Sequence, residues 1–116
     1  MSSQGWIGVD LDGTLARYEG WSGVEHIGEP IAPMVARVRQ WIAEGRDVRI
    51  FTARIASRNA QELYAAIDAI EKWCARHIGT VLPITNIKDF AMTQLWDDRA
   101  VQVVPNEGRR ADGALE

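Results

Sequence analysis

The chain holds a single cysteine, Cys74, in 116 residues, so no intramolecular disulfide can brace it. No apolar run approaches the roughly 18 residues of a membrane-spanning helix. The opening residues, Met1 to Gln4, are short and polar, unlike a charged-then-apolar leader. These absences predict a cytoplasmic protein without membrane contact. An excess of positive charge is missing as well: 13 Lys and Arg against 16 Asp and Glu leave a net charge of -3. The chain therefore carries no basic footprint for bulk nucleic-acid binding, although charge alone does not exclude a polyanion. Internal repeats and low-complexity segments are also absent. Length sets the last limit, since 116 residues can bury one core but not a second. Any substrate must then bind at the rim of a single sheet.

What the sequence does contain is an alternation of strand and helix patterns. Trp6 to Val9 is a short apolar run ending in acids, the pattern of a fully buried parallel strand. Residues 16–30 show no sustained period and read as a loop or small hairpin. Ile31, Met34, Val35, Val38, Trp41 and Ile42 recur at helical spacing, with Pro33 near the start and Gly45 beyond the end. Val48, Ile50 and Phe51 form a second strand pattern. Ser57 is placed to cap a second helix whose Leu63, Ile67, Ile70, Cys74 and Ile78 share a face before Gly79. Val81 to Ile84 predicts a weaker third strand broken by Pro83, and Val101 to Val104 a last one before Pro105. The order implies an α/β fold with a parallel sheet. Residues 1–105 form its single domain, and polar, Gly-rich residues 106–116 a flexible tail.

The polar groups of interest all follow predicted strands. Asp10 and Asp12 lie two apart on an extended segment and point the same way, with Gly13 permitting a sharp turn. Thr52 to Arg54, Lys88 and Asp97-Asp98 each lie just past a later strand. Open parallel sheets bind ligands outside the carboxyl ends of their strands, so these stretches should meet in space. Taken singly they are weak signals: Asp12-Gly13-Thr14 is a common turn sequence, and paired acids usually mark a solvated loop. Their order and their placement after strands carry the argument.

Asp10-Leu11-Asp12-Gly13-Thr14, Phe51-Thr52-Ala53-Arg54, Lys88 and Asp97-Asp98 together resemble the four-motif pattern of the haloacid dehalogenase-like (HAD) hydrolases. The resemblance covers residues 6 to about 104 and implies a Rossmann-like core. It implies that Asp10 attacks the phosphorus of a phosphomonoester and becomes an aspartyl-phosphate, with Asp12 as general acid and base. It further implies Mg²⁺ held by Asp10, Asp97, Asp98 and the Asp12 carbonyl, a set of hard oxygen donors suited to that ion. Thr52, Lys88 and the backbone near Gly13 would hold the nonreacting phosphate oxygens. Lys88 lies too close to Asp97 for an intervening helix, so Arg54 or Arg99 is an alternative cation, with a surface salt bridge as the plain reading of each. Neither gap between elements can hold a cap domain. Capless relatives act on phosphate groups of macromolecules or borrow a neighbouring subunit as a lid, which leaves a homo-oligomer open.

The substrate is then a phosphorylated small molecule or a nucleic-acid end. Thr52-Ala53-Arg54 looks somewhat like the corresponding motif of polynucleotide 3'-phosphatases, with Arg54, Arg58 and Trp21 available to serve that activity. A noncatalytic domain that binds metal or a partner is the remaining alternative. Four of the five tryptophans, Trp6, Trp41, Trp73 and Trp96, fall on predicted elements and read as packing. Trp21 follows the first acidic loop, where structural and substrate-contact roles are both open. His26, without a nearby second His or Cys, reads as a surface residue.

Overall fold

A computed structural model describes residues 4–115. The elements run β1 (Trp6–Asp10), α1 (Ala32–Ala43), β2 (Asp47–Phe51), a single 3₁₀ turn (Ala53–Ile55), α2 (Ala60–His77), β3 (Ile84–Thr85) and β4 (Met92–Trp96). The four strands make one parallel sheet in the order β3-β2-β1-β4. This is the α/β, Rossmann-like arrangement that the alternating pattern predicts. β1 is central and buried along nearly its whole length, as its uninterrupted apolar run requires.

Ile7 and Val9 pair with Val48 and Ile50, and these four side chains face one side of the sheet. Met34, Val35 and Val38 of α1 and Ile70, Trp73 and Cys74 of α2 join them in one core cluster. Both helices therefore close the same side. On the other side Trp6 stacks on Phe51 with ring centroids 6.4 Å apart, and the Arg49 guanidinium lies 4.7 Å from the Trp6 ring. No helix joins β3 to β4; residues 86–91 cross instead, shorter than the dozen or more residues usual between parallel strands. Trp6 Nε1 donates to Asp89 Oδ1 at 2.8 Å and fixes this strap across the sheet. The strap leaves Thr93, Gln94 and Leu95 of β4 exposed.

Several sequence expectations change here. Asn59, not Ser57, caps α2 by accepting from the Glu62 amide at 3.0 Å. The Ser57 hydroxyl accepts from the Asn59 amide and donates to Glu62 Oε2, bracing the turn one step earlier. Ala66 and Trp73 take the buried stripe of α2 with Ile70 and Cys74, while Leu63 and Ile67 are only half-buried. β3 begins at Ile84 rather than Val81, because Pro83 has no amide to donate and serves the sheet only through its carbonyl, which accepts from Ile50. Val101 to Val104 forms no strand. Val103 instead bridges Arg110 in an antiparallel sense, closed by Val104 N to Arg109 O at 2.9 Å. Pro105 and Asn106, the latter at φ 66°, turn the chain back on itself. Ala111 N donates to Gln102 O at 2.8 Å within the same turn. Among the described residues no helix is long and apolar enough to cross a membrane.

Candidate active site

The segment after β1 is held from below. Leu11 and Leu15 are fully buried, and the Leu11 carbonyl accepts from the amides of Leu15 and Ala16 at 3.0 and 2.8 Å. This tight turn lifts Asp10, Asp12 and Thr14 to the carboxyl edge of the sheet. Gly13 sits at φ 92°, in the left-handed region, and a Cβ there would lie 2.5 Å from Asp98 Oδ2. Glycine is thus needed twice over, for its backbone angle and for the approach of Asp98. The Gly13 amide donates to Ala16 O at 2.8 Å, so it serves the loop rather than a phosphate oxygen.

β4 delivers Asp97 and Asp98 beside Asp10, as the adjacency of β1 and β4 dictates. Asp10, Asp97 and Asp98 each offer an oxygen within 4.8 Å of the others. The Thr14 hydroxyl staples the two segments together. It accepts from the Asp98 amide at 3.0 Å and has Asp98 Oδ1 and Asp10 Oδ2 at 3.3 and 3.4 Å for its own proton. Asp97 Oδ1 accepts from the Arg99 amide at 2.7 Å. Burial, a hydrogen bond with Asp98 and the charges of Asp97, Asp98 and Asp12 push the Asp10 carboxyl up from 3.8 to about 7.

Asp12 is placed differently. Arg54 grips it with two bonds, Nε to Oδ2 at 2.7 Å and Nη2 to Oδ1 at 2.9 Å. The same guanidinium donates to the carbonyls of Val24 and His26 at 3.0 and 2.8 Å, and Arg54 is only 8% exposed. Arg54, expected to bind phosphate, has four of its five N–H groups directed at Asp12 and at the carbonyls of Val24 and His26. It is also not the surface salt bridge of the plain reading. Asp12 stands outside the three-carboxylate cluster.

Thr52 is buried, and its Oγ1 accepts from the Arg54 amide at 3.1 Å. Accepting that bond leaves the hydroxyl its own proton to donate. These groups line one open cleft of about 690 Å³ that also takes in Trp21, Asn86 and Arg99. Lys88 is exposed on the strap and is not among the cleft's lining residues; the strap contributes Asn86 instead. The Thr14 staple and the Arg54 grip were not assigned from sequence. The Thr within Asp-Gly-Thr and the Arg two after Thr52 are visible there, but neither spacing states a partner.

No family model matches the chain, and no curated protein matches it. A solved structure described as a conserved protein coded by a locus from Bacteroides thetaiotaomicron is similar to it, with 23% identity. That match covers 90% of this chain and 84% of the other, at a TM-score of 0.58. The similarity supports the α/β fold.

Proposed function

We propose that the protein is a divalent-metal-dependent phosphomonoester hydrolase of the HAD type, with Asp10 as the nucleophile. The observation that carries the reading is the gathering of Asp10, Asp97 and Asp98 within 4.8 Å at the carboxyl ends of two adjacent parallel strands. The donors are all hard carboxylate oxygens, which fits Mg²⁺. Asp10, Asp97 and Asp98 would hold the ion, which would supply charge neutralisation between an anionic nucleophile and an anionic phosphate.

In this reading an Asp10 oxygen attacks phosphorus as the bond to the leaving oxygen breaks. Asp12 gives a proton to that oxygen, then takes one from the water that attacks the aspartyl-phosphate, and phosphate departs. The Thr52 hydroxyl donates to a nonreacting phosphate oxygen. With each Asp12 oxygen accepting one bond from Arg54, the second lone pair of each oxygen is left for the proton that Asp12 passes. Substrates with good leaving groups need that proton least.

Phosphate release from an aryl phosphate with Mg²⁺, with excess chelator, and by Asp10→Asn with Mg²⁺ tests the reading. Turnover that disappears in both controls supports it. A folded protein that binds Mg²⁺ yet releases no phosphate from any phosphomonoester contradicts it.

A further inference from the structure

The cleft is larger than a phosphate group requires, and one of its walls is aromatic. Of the five tryptophans, Trp6 and Trp73 are buried and Trp41 and Trp96 pack against the core. Trp21 alone is exposed, at 57%, and it lines the cleft that holds the acids. Its position is prepared. The Arg54 guanidinium lies 4.9 Å from the centroid of its ring, and the same group ties down the carbonyls of Val24 and His26 just beyond it. One ring face thus rests on a fixed cation, and the exposed remainder meets the cleft. A flat, polarised surface held in this way favours a second planar ring stacked upon it.

Charge narrows the choice further. Acids dominate the cleft, and its only cations among the described residues are Arg54 and Arg99. Arg54 is engaged by Asp12. A strand carrying several phosphates needs a basic track along its backbone, and this cleft offers one free guanidinium. Resting on the phosphatase reading, we propose that Trp21 seats a planar aromatic ring on the leaving-group side of the substrate. The substrate is then a small aryl or nucleoside monophosphate and not a phosphorylated polynucleotide.

The test compares kcat/KM, with Mg²⁺, for adenosine 5'-monophosphate, an aryl phosphate, glucose 6-phosphate and a short 3'-phosphorylated single strand. The two ring-bearing monophosphates should exceed glucose 6-phosphate by about tenfold, mainly through KM. Trp21→Ala should collapse that ratio toward one, and Trp21→Phe should keep most of it. A preference confined to the adenosine or to the aryl compound identifies which source of ring the seat takes. Equal kcat/KM across the small phosphates, a ratio that survives Trp21→Ala, or fastest turnover of the strand would overturn the proposal. Asp10→Asn reports separately on the phosphatase reading. If nothing is turned over, calorimetric binding of adenosine 5'-monophosphate against glucose 6-phosphate decides: tighter nucleotide binding that Trp21→Ala removes supports the seat, and equal binding overturns it.

Discussion

Asp10, the last residue of β1, and Asp12 sit two positions apart, yet their surroundings are opposite. Asp10 faces two more carboxylates and is driven toward its neutral form. Asp12 faces a guanidinium that meets it with two bonds at 2.7 and 2.9 Å. The first therefore lacks a counter-charge and the second already has one. The difference shows how a single turn can separate a carboxyl crowded by like charge from one already paired with a guanidinium. Arg54 accordingly holds Asp12 together with the carbonyls of Val24 and His26.

The largest test of that division is Asp10→Asn, which should lower phosphomonoester turnover by about a thousandfold or more while the protein stays folded. Arg54→Ala removes the counter-charge from the other side. It should cost about 2–3 kcal/mol of stability, read by urea unfolding, and lower kcat by about 10- to 100-fold, because Asp12 loses its orientation. The loss should be steeper for alkyl phosphates than for aryl phosphates, whose leaving groups need less protonation.

Gly13→Ala blurs the boundary between the two acids by displacing Asp98. It should destabilise the protein by about 1–3 kcal/mol and weaken Mg²⁺ binding in calorimetry. A pH series on metal-free protein follows with a smaller effect. The Asp10 carboxyl, raised to about 7, holds its proton more tightly folded than unfolded. Stability should therefore fall as pH rises from the ordinary carboxylate range to about 7. Asp10→Asn should flatten that slope and gain about 1–2 kcal/mol at pH 8, solvent screening of this half-buried group having reduced the effect. Lys88→Ala should do least, changing kcat/KM by less than about twofold, since Lys88 lies outside the cleft.

The architecture was legible because it rests on burial. The short apolar run Trp6 to Val9 fits a buried strand and the spacing of Met34, Val35 and Val38 a helix, and the structure has both. Val101 to Val104 misled, since β-rich composition becomes a strand only beside an available partner, and here Val103 pairs locally with Arg110. At the site, strand order explains what sequence could say: Asp10 and Asp97-Asp98 meet because β1 and β4 are neighbours. What sequence could not say is where a long side chain turns. Lys88 and Arg54 were both candidate cations, and the difference between them lies in a six-residue strap and in contacts across 42 positions of chain.

Magnesium titration at pH 7 of the wild-type chain, Asp10→Asn and Asp12→Asn, followed by calorimetry in buffers of different ionisation enthalpy, tests the division most directly. The account predicts a fractional proton released by the wild type on binding, at least about a tenfold loss of affinity in Asp10→Asn with that proton release gone, and a smaller loss in Asp12→Asn. Equal losses in the two variants, or the larger loss in Asp12→Asn, would contradict it.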